Sequence, residues 1–149
     1  MAWVTPIYDR MMLDVKFALQ KIEEWRKSGA TDTTDLKGCF NASDMNRIEQ
    51  NIKYLSDELA KLYYFASVSI KTWDRSSMPT KADVDRIISN VNKIITSYYQ
   101  TSDAPALPST LLTITDVNSL EKNLYKIKMI LDGMIFSFRE CDTFYCGED

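Results

Sequence analysis

Enzyme chemistry at neutral pH most often starts from a histidine, and this chain of 149 residues has none. Its absence removes the commonest general base, the Ser or Cys triad, and the Glu-x-x-His ligand pairs of di-iron bundles. Paired carboxylates remain, as Glu23 with Glu24 and Asp57 with Glu58. Adjacent helical residues point about 100° apart, so neither pair converges on one substrate atom, and both read as surface charge. The four glycines, Gly29, Gly38, Gly133 and Gly147, never cluster into a phosphate-binding loop. Cys141 and Cys146 are separated by four residues and Cys39 stands alone, which is too sparse for a four-ligand zinc site. Reduced thiols are the expectation, with a Cys141–Cys146 disulfide after release from the cell as the alternative. The chain is therefore expected to be no enzyme, to have no catalytic residues, and to bind neither metal nor cofactor.

Eighteen basic against twenty-one acidic residues give a net charge of −3, and no basic cluster could neutralise a row of phosphates. Nucleic acid is an unexpected partner. No apolar run approaches the twenty residues needed to span a bilayer, and Met1 to Pro6 lacks a secretory signature. The expectation is a protein made in the cytoplasm, with no membrane contact.

The elements that must position any site are written as a repeated phrase. Asp44-Met45-Asn46-Arg47-Ile48-Glu49-Gln50-Asn51-Ile52 recurs as a run from Asp83 to Val91 and another from Asp116 to Leu124, with a weaker copy from Asp14. One, four, eight and eleven residues after each aspartate the chain is apolar: Val15, Ala18, Ile22, Trp25; Met45, Ile48, Ile52, Leu55; Val84, Ile87, Val91, Ile94; Val117, Leu120, Leu124, Ile127. Steps of three and four draw one stripe on an α-helix.

Asn41, Thr80 and Thr113 stand three residues before the last three aspartates and are the expected helix caps, each with its aspartate in a variant capping box. The first helix is expected to start with Thr5 as cap and Pro6 after it, or near Tyr8 and Asp9. Asn51, Asn90 and Asn123 follow their aspartates by seven residues and flank the stripe. As half-buried amides they should hydrogen-bond to a neighbouring helix or to linker backbone, acting as structural register pins. Gly133, inside the fourth helix, predicts close helix approach or a slight bend.

These signals predict a single all-α domain, an up-down four-helix bundle with long connecting loops. Residues 1–8 form an N-terminal arm, 9–139 the bundle with helices near 9–27, 42–66, 80–99 and 113–139, and 140–149 a short extended tail. In that topology helices two and four end together beside the arm. Trp3, Ile7, Tyr8, Tyr63, Tyr64, Phe136 and Phe138 would then form one aromatic end, either closing the core or serving as a partner-binding surface. Tyr98 and Tyr99 fall at the opposite pole.

The block Leu36 to Leu55, with its Asn41, Asp44, Asn46-Arg47-Ile48-Glu49, Asn51 and Leu55, resembles a phrase common in small virion-associated proteins of tailed phages and prophages of Gram-positive bacteria. Trp3, Pro6, Asp9-Arg10 and Asp14-Val15 look like that family's start, and Cys146-Gly147-Glu148 fits loosely with its end. The resemblance departs at Met11 and Met12, where polar residues are expected. It implies a non-enzymatic adaptor of a tail, baseplate or fibre attachment that oligomerises and docks on a larger virion protein. The alternative is a cytoplasmic regulatory or immunity-type helical module that binds one protein.

Overall fold

A computed structural model describes residues 1–30, 32 and 34–142, with side chains as far as Ser137. Four helices and no strand occur among the described residues: α1 (Met12–Ser28), α2 (Ala42–Lys61), α3 (Lys81–Ser97) and α4 (Ile114–Asp142). No helix is long and apolar enough to cross a membrane.

Each helix starts where its aspartate places it. The carboxylate of Asp14 accepts the Met11 N–H, and those of Asp44, Asp83 and Asp116 accept the N–H groups of Asn41, Thr80 and Thr113, at 2.8–3.0 Å. Thr80 and Thr113 close the box by accepting from the aspartate N–H. Asn41 instead turns its amide back to the carbonyls of Leu36 and Cys39, tying the approaching loop to the cap. The first helix begins later than the proline suggested. Its cap is Met11, because residues 1–10 are held extended by other helices, as described below.

Helices α2, α3 and α4 pack on one another, and α1 packs on none of them. The stripes of the three packed helices form the core: Met45, Ile48, Ile52 and Leu55, Ile87, Val91 and Ile94, and Val117, Leu120, Leu124 and Ile127 are buried, and Val84, the first stripe position of α3, is half-buried against them. Along α1 only Ala18 of the predicted stripe is buried, while Ile22 is 43% exposed. The core is therefore a three-helix bundle with a fourth helix outside it.

The packed helices run in the same direction, which departs from the up-down arrangement. Near their starts, Arg47 of α2 pairs with Glu121 of α4, and Arg86 of α3 with Glu49 of α2. Near their ends, Tyr64 just beyond α2 meets Tyr98 at the end of α3, and the Tyr98 hydroxyl lies 3.7 Å from the Met134 sulfur of α4. Starts meet starts and ends meet ends. Tyr98 thus lies at the same pole as Tyr64.

Parallel neighbours oblige each connection to travel back the full length of a helix. Each returning segment runs back along the bundle, the two linkers with a turn on the way at Asp74–Ser77 and Thr101–Ala104, and the repeated asparagines hold it by its backbone. Asn51 of α2 accepts the Val4 N–H at 2.9 Å and donates to the Val4 carbonyl at 2.8 Å, while Asn118 of α4 does the same for Arg10. Asn90 of α3 grips both groups of Ser69, and Asn46 of α2 both groups of Trp73. Asn123 of α4 donates to the Pro105 carbonyl at 2.9 Å. Proline has no N–H to return, and the Gln100 side chain donates to Asn123 instead. Asn51, Asn90 and Asn123 are each 1% exposed or less.

Gly133 meets no neighbouring atom within 4 Å, so close helix approach is not its reason. Gly38 is the tight glycine, since a side chain there would strike the Asp14 carbonyl. The helical run to Asp142 replaces the predicted extended conformation over residues 140–142; the rest of that tail, with Cys146, lies outside the described residues, as does the side chain of Cys141.

Replacing Asn51 or Asn90 by alanine removes two backbone partners and a buried amide, and should cost about 1–3 kcal/mol in urea unfolding. Asp85→Asn, at the position where α2 and α4 carry Asn46 and Asn118, touches only an exposed ion pair with Lys81 and should change stability by about 0.5 kcal/mol or less.

Candidate interaction site

The residues expected to form one aromatic end fall into three places. Trp3, Ile7 and Tyr8 lie in the groove between α2 and α4. Trp3 packs on Tyr54 at 5.7 Å between ring centroids, with the Lys128 ammonium beside both rings, and Tyr8 packs on Tyr125 at 5.1 Å. The Ile7 N–H donates to Glu121 at 2.7 Å. Tyr63 and Tyr64 are at the far pole, where Tyr63 is 85% exposed in a left-handed conformation (φ 66°). Phe136 is exposed on the last turns of α4, and the Phe138 side chain lies outside the described residues. The arm does not reach the far pole because, with parallel helices, it runs from the middle of α2 toward the helix starts.

The groove holds the arm by charge as well as by backbone. Arg10 is 5% exposed, and its guanidinium donates to Asp44 at 2.8 Å and to Glu121 at 3.1 Å. Arg47 completes the cluster, donating to Asp44 and Glu121 at 2.6 Å each. Burial pushes the Asp44 carboxyl up, but the Asn41 N–H, Arg47 and Arg10 outweigh it and hold the group below the ordinary 3.8. Two carboxylates face two guanidiniums, so the charges of the cluster balance within it. The arrangement is a lock for the arm. Asp44 was legible in the sequence only as a helix-start residue, and neither the burial of Arg10 nor its pairing with Glu121 was, although Glu121 recurs at the place of Glu49 in its repeat.

Trp73 occupies the equivalent place in the next groove. It is 4% exposed, is held by Asn46, and its indole N–H donates to Glu49 at 3.2 Å. Leu111 fills the third groove and has no polar partner to find.

Exposed apolar surface gathers on α1. Met12, Leu13, Phe17, Leu19 and Ile22 are all exposed, Leu13 by 72% and Leu19 by 61%. At its start the helix borders an apolar cleft of about 310 Å³, lined by Met12 and Val15 of α1, Cys39 and Phe40 of the loop, Leu112 before α4 and Ile114 at its first position. Burial pushes the Cys39 thiol above its usual value, which leaves it less nucleophilic than a free cysteine. Among the described residues no group of three His, Cys, Asp or Glu side chains could hold a metal ion. The cleft has walls and little chemistry.

No protein-family profile, characterised protein or solved structure matches this chain. Its function must be argued from the surface itself.

Because the folded Asp44 value lies below 3.8, the ionised carboxylate stabilises the fold above that pH, and the contribution is lost as pH falls through the folded value. The melting temperature should hold steady above about pH 5 and drop below about pH 4, and Asp44→Asn should be less stable at neutral pH with a shallower acid limb. Arg10→Ala, which leaves buried carboxylate charge with one guanidinium, should cost about 3 kcal/mol.

Proposed function

We propose that this chain is a non-enzymatic adaptor that works by associating with copies of itself and docking on a larger protein. The observation that carries the reading is α1, a helix that sits outside the bundle with five large apolar side chains exposed. Exposed apolar surface of this kind in a folded chain marks an interaction site, because covering it returns the free energy of removing it from water. The far pole supplies further exposed apolar side chains in Tyr63 and Phe65, which suit a different protein from the one that covers α1.

The setting we favour is a tail, baseplate or fibre attachment of a phage or prophage. Support comes from the resemblance of residues 36–55 to virion-associated proteins. The same residues start α2 and include Asn41, Asp44, Asn46, Arg47, Glu49 and Asn51, which cap the helix, grip the returning segments and form the buried ion pairs. A phrase that specifies a stiff parallel bundle suits a part that must transmit load rather than turn over substrate.

Light scattering over a range of concentrations tests the self-association. The wild type should exceed its chain mass of 17.2 kDa as concentration rises, and Leu19→Gln with Ile22→Gln should remain at that mass with unchanged helicity. A wild type that stays at chain mass throughout sinks the self-association. Mass spectrometry of sedimented phage particles from the producing cells then tests the setting: stoichiometric presence supports a virion part, and a soluble 1:1 complex with one cytoplasmic protein would replace it with the regulatory module.

A further inference from the structure

The three packed helices and their returning segments form a threefold internal repeat, and only the first copy is interrupted. From the gripped residue to the helix cap the chain takes 11 residues in the second copy (Ser69 to Thr80) and 8 in the third (Pro105 to Thr113), but 37 in the first (Val4 to Asn41). The excess is α1 with the loop that follows it. From Trp73 to Thr80 is seven residues, and removing residues 12–35 would leave the same seven from Arg10 to Asn41.

We infer that α1 is a docking module inserted into the first repeat of a complete three-helix scaffold, and that its partner is α1 of a second copy, antiparallel to it. The inference rests on the self-association reading and adds the geometry. α1 lacks what fixes the other helices: Lys16 and Lys21 stand where a full repeat has its gripping asparagines, and no other helix packs on it. What holds it is local. Lys37 bridges Asp9 and Asp14 at 3.0 and 3.8 Å, and Gly38 lies against the Asp14 backbone.

Charge decides the occupant. Lys16 and Glu23 are seven residues apart on one flank beside Met12, Leu19 and Ile22. An antiparallel copy sets this flank against itself, so that Lys16 approaches Glu23 of the copy and Glu23 approaches its Lys16. Glu23, now paired with Lys27 at 3.2 Å on an exposed surface, is free to exchange partners. A parallel copy would need the other flank, where Ala18 is buried. Two helices of 17 residues give a short interface, about 25 Å long, suited to a contact that forms when many copies are held together.

Hydrogen exchange on the full chain, read by mass spectrometry at low and high protein concentration, tests the proposal. At low concentration the amides of α1 should exchange at least about a hundredfold faster than those around Ile52 and Leu124, and at high concentration they alone should slow. Uniformly slow exchange of α1 and the bundle at low concentration would overturn the insertion. Fast α1 exchange at every concentration, with chain mass unchanged by light scattering, would overturn the self-association reading and the proposed partner with it. Concentration-dependent protection that appears in the bundle and not in α1 would place the contact elsewhere and overturn only the role given to α1. Lys16→Glu with Glu23→Lys preserves the antiparallel pairing and should associate like the wild type, whereas Lys16→Glu alone should weaken association at least about fivefold; equal behaviour of the two variants would overturn the antiparallel geometry.

Discussion

The fold depends on side-chain amides that stand in for a second strand. Parallel helices joined in sequence need long returning segments, and a segment lying against a bundle carries backbone donors and acceptors that a helix surface cannot ordinarily satisfy. Asn51, Asn90, Asn46 and Asn118 each meet that need with one N–H and one carbonyl oxygen, matched to the two groups of one extended residue. An amide is the side chain that offers both in a fixed spacing. Around this constraint the rest is arranged, with apolar stripes turned inward, Arg–Glu pairs between helix starts, and a plug of Arg10, Trp73 or Leu111 in each groove.

Local rules were legible in the sequence and direction was not. The aspartate phrase located the starts of α2, α3 and α4 to within a residue, and the apolar spacing identified their core positions. Asn90 and Asn123 bond linker backbone, one of the two partners their placement implied, whereas Asn51 bonds the N-terminal arm, which was not among them. Amphipathic periodicity, however, reads identically for parallel and antiparallel neighbours, so the up-down choice rested on connection economy alone. The long linkers held the contrary signal: 19 residues separate the end of α2 from the start of α3, enough to return along a helix.

The outside position of α1 had a sequence signature as well. Its copy of the phrase keeps the aspartate and the stripe but replaces both asparagines by lysine, and it adds Met12, Leu13, Phe17 and Leu19 away from the stripe. A helix with apolar residues on more than one face and without gripping amides is not equivalent to its neighbours. Arg10 was harder to find, because its burial depends on Asp44 and Glu121 converging from two helices whose relative direction the sequence leaves open.

Running the same way, α2, α3 and α4 also add their peptide dipoles instead of cancelling them. Each helix end carries roughly half a unit charge, positive at the start and negative at the finish. Asp44, Asp83 and Asp116 stand at the positive starts and offset them, while the last turn of α3 has no basic residue and that of α2 only Lys61. The α2 and α3 pair is consequently an electrical vector, with its less compensated negative end at the Tyr63 and Tyr98 pole. Copies brought together in a shared environment would therefore have a preferred heading along their long axis, set by backbone alone.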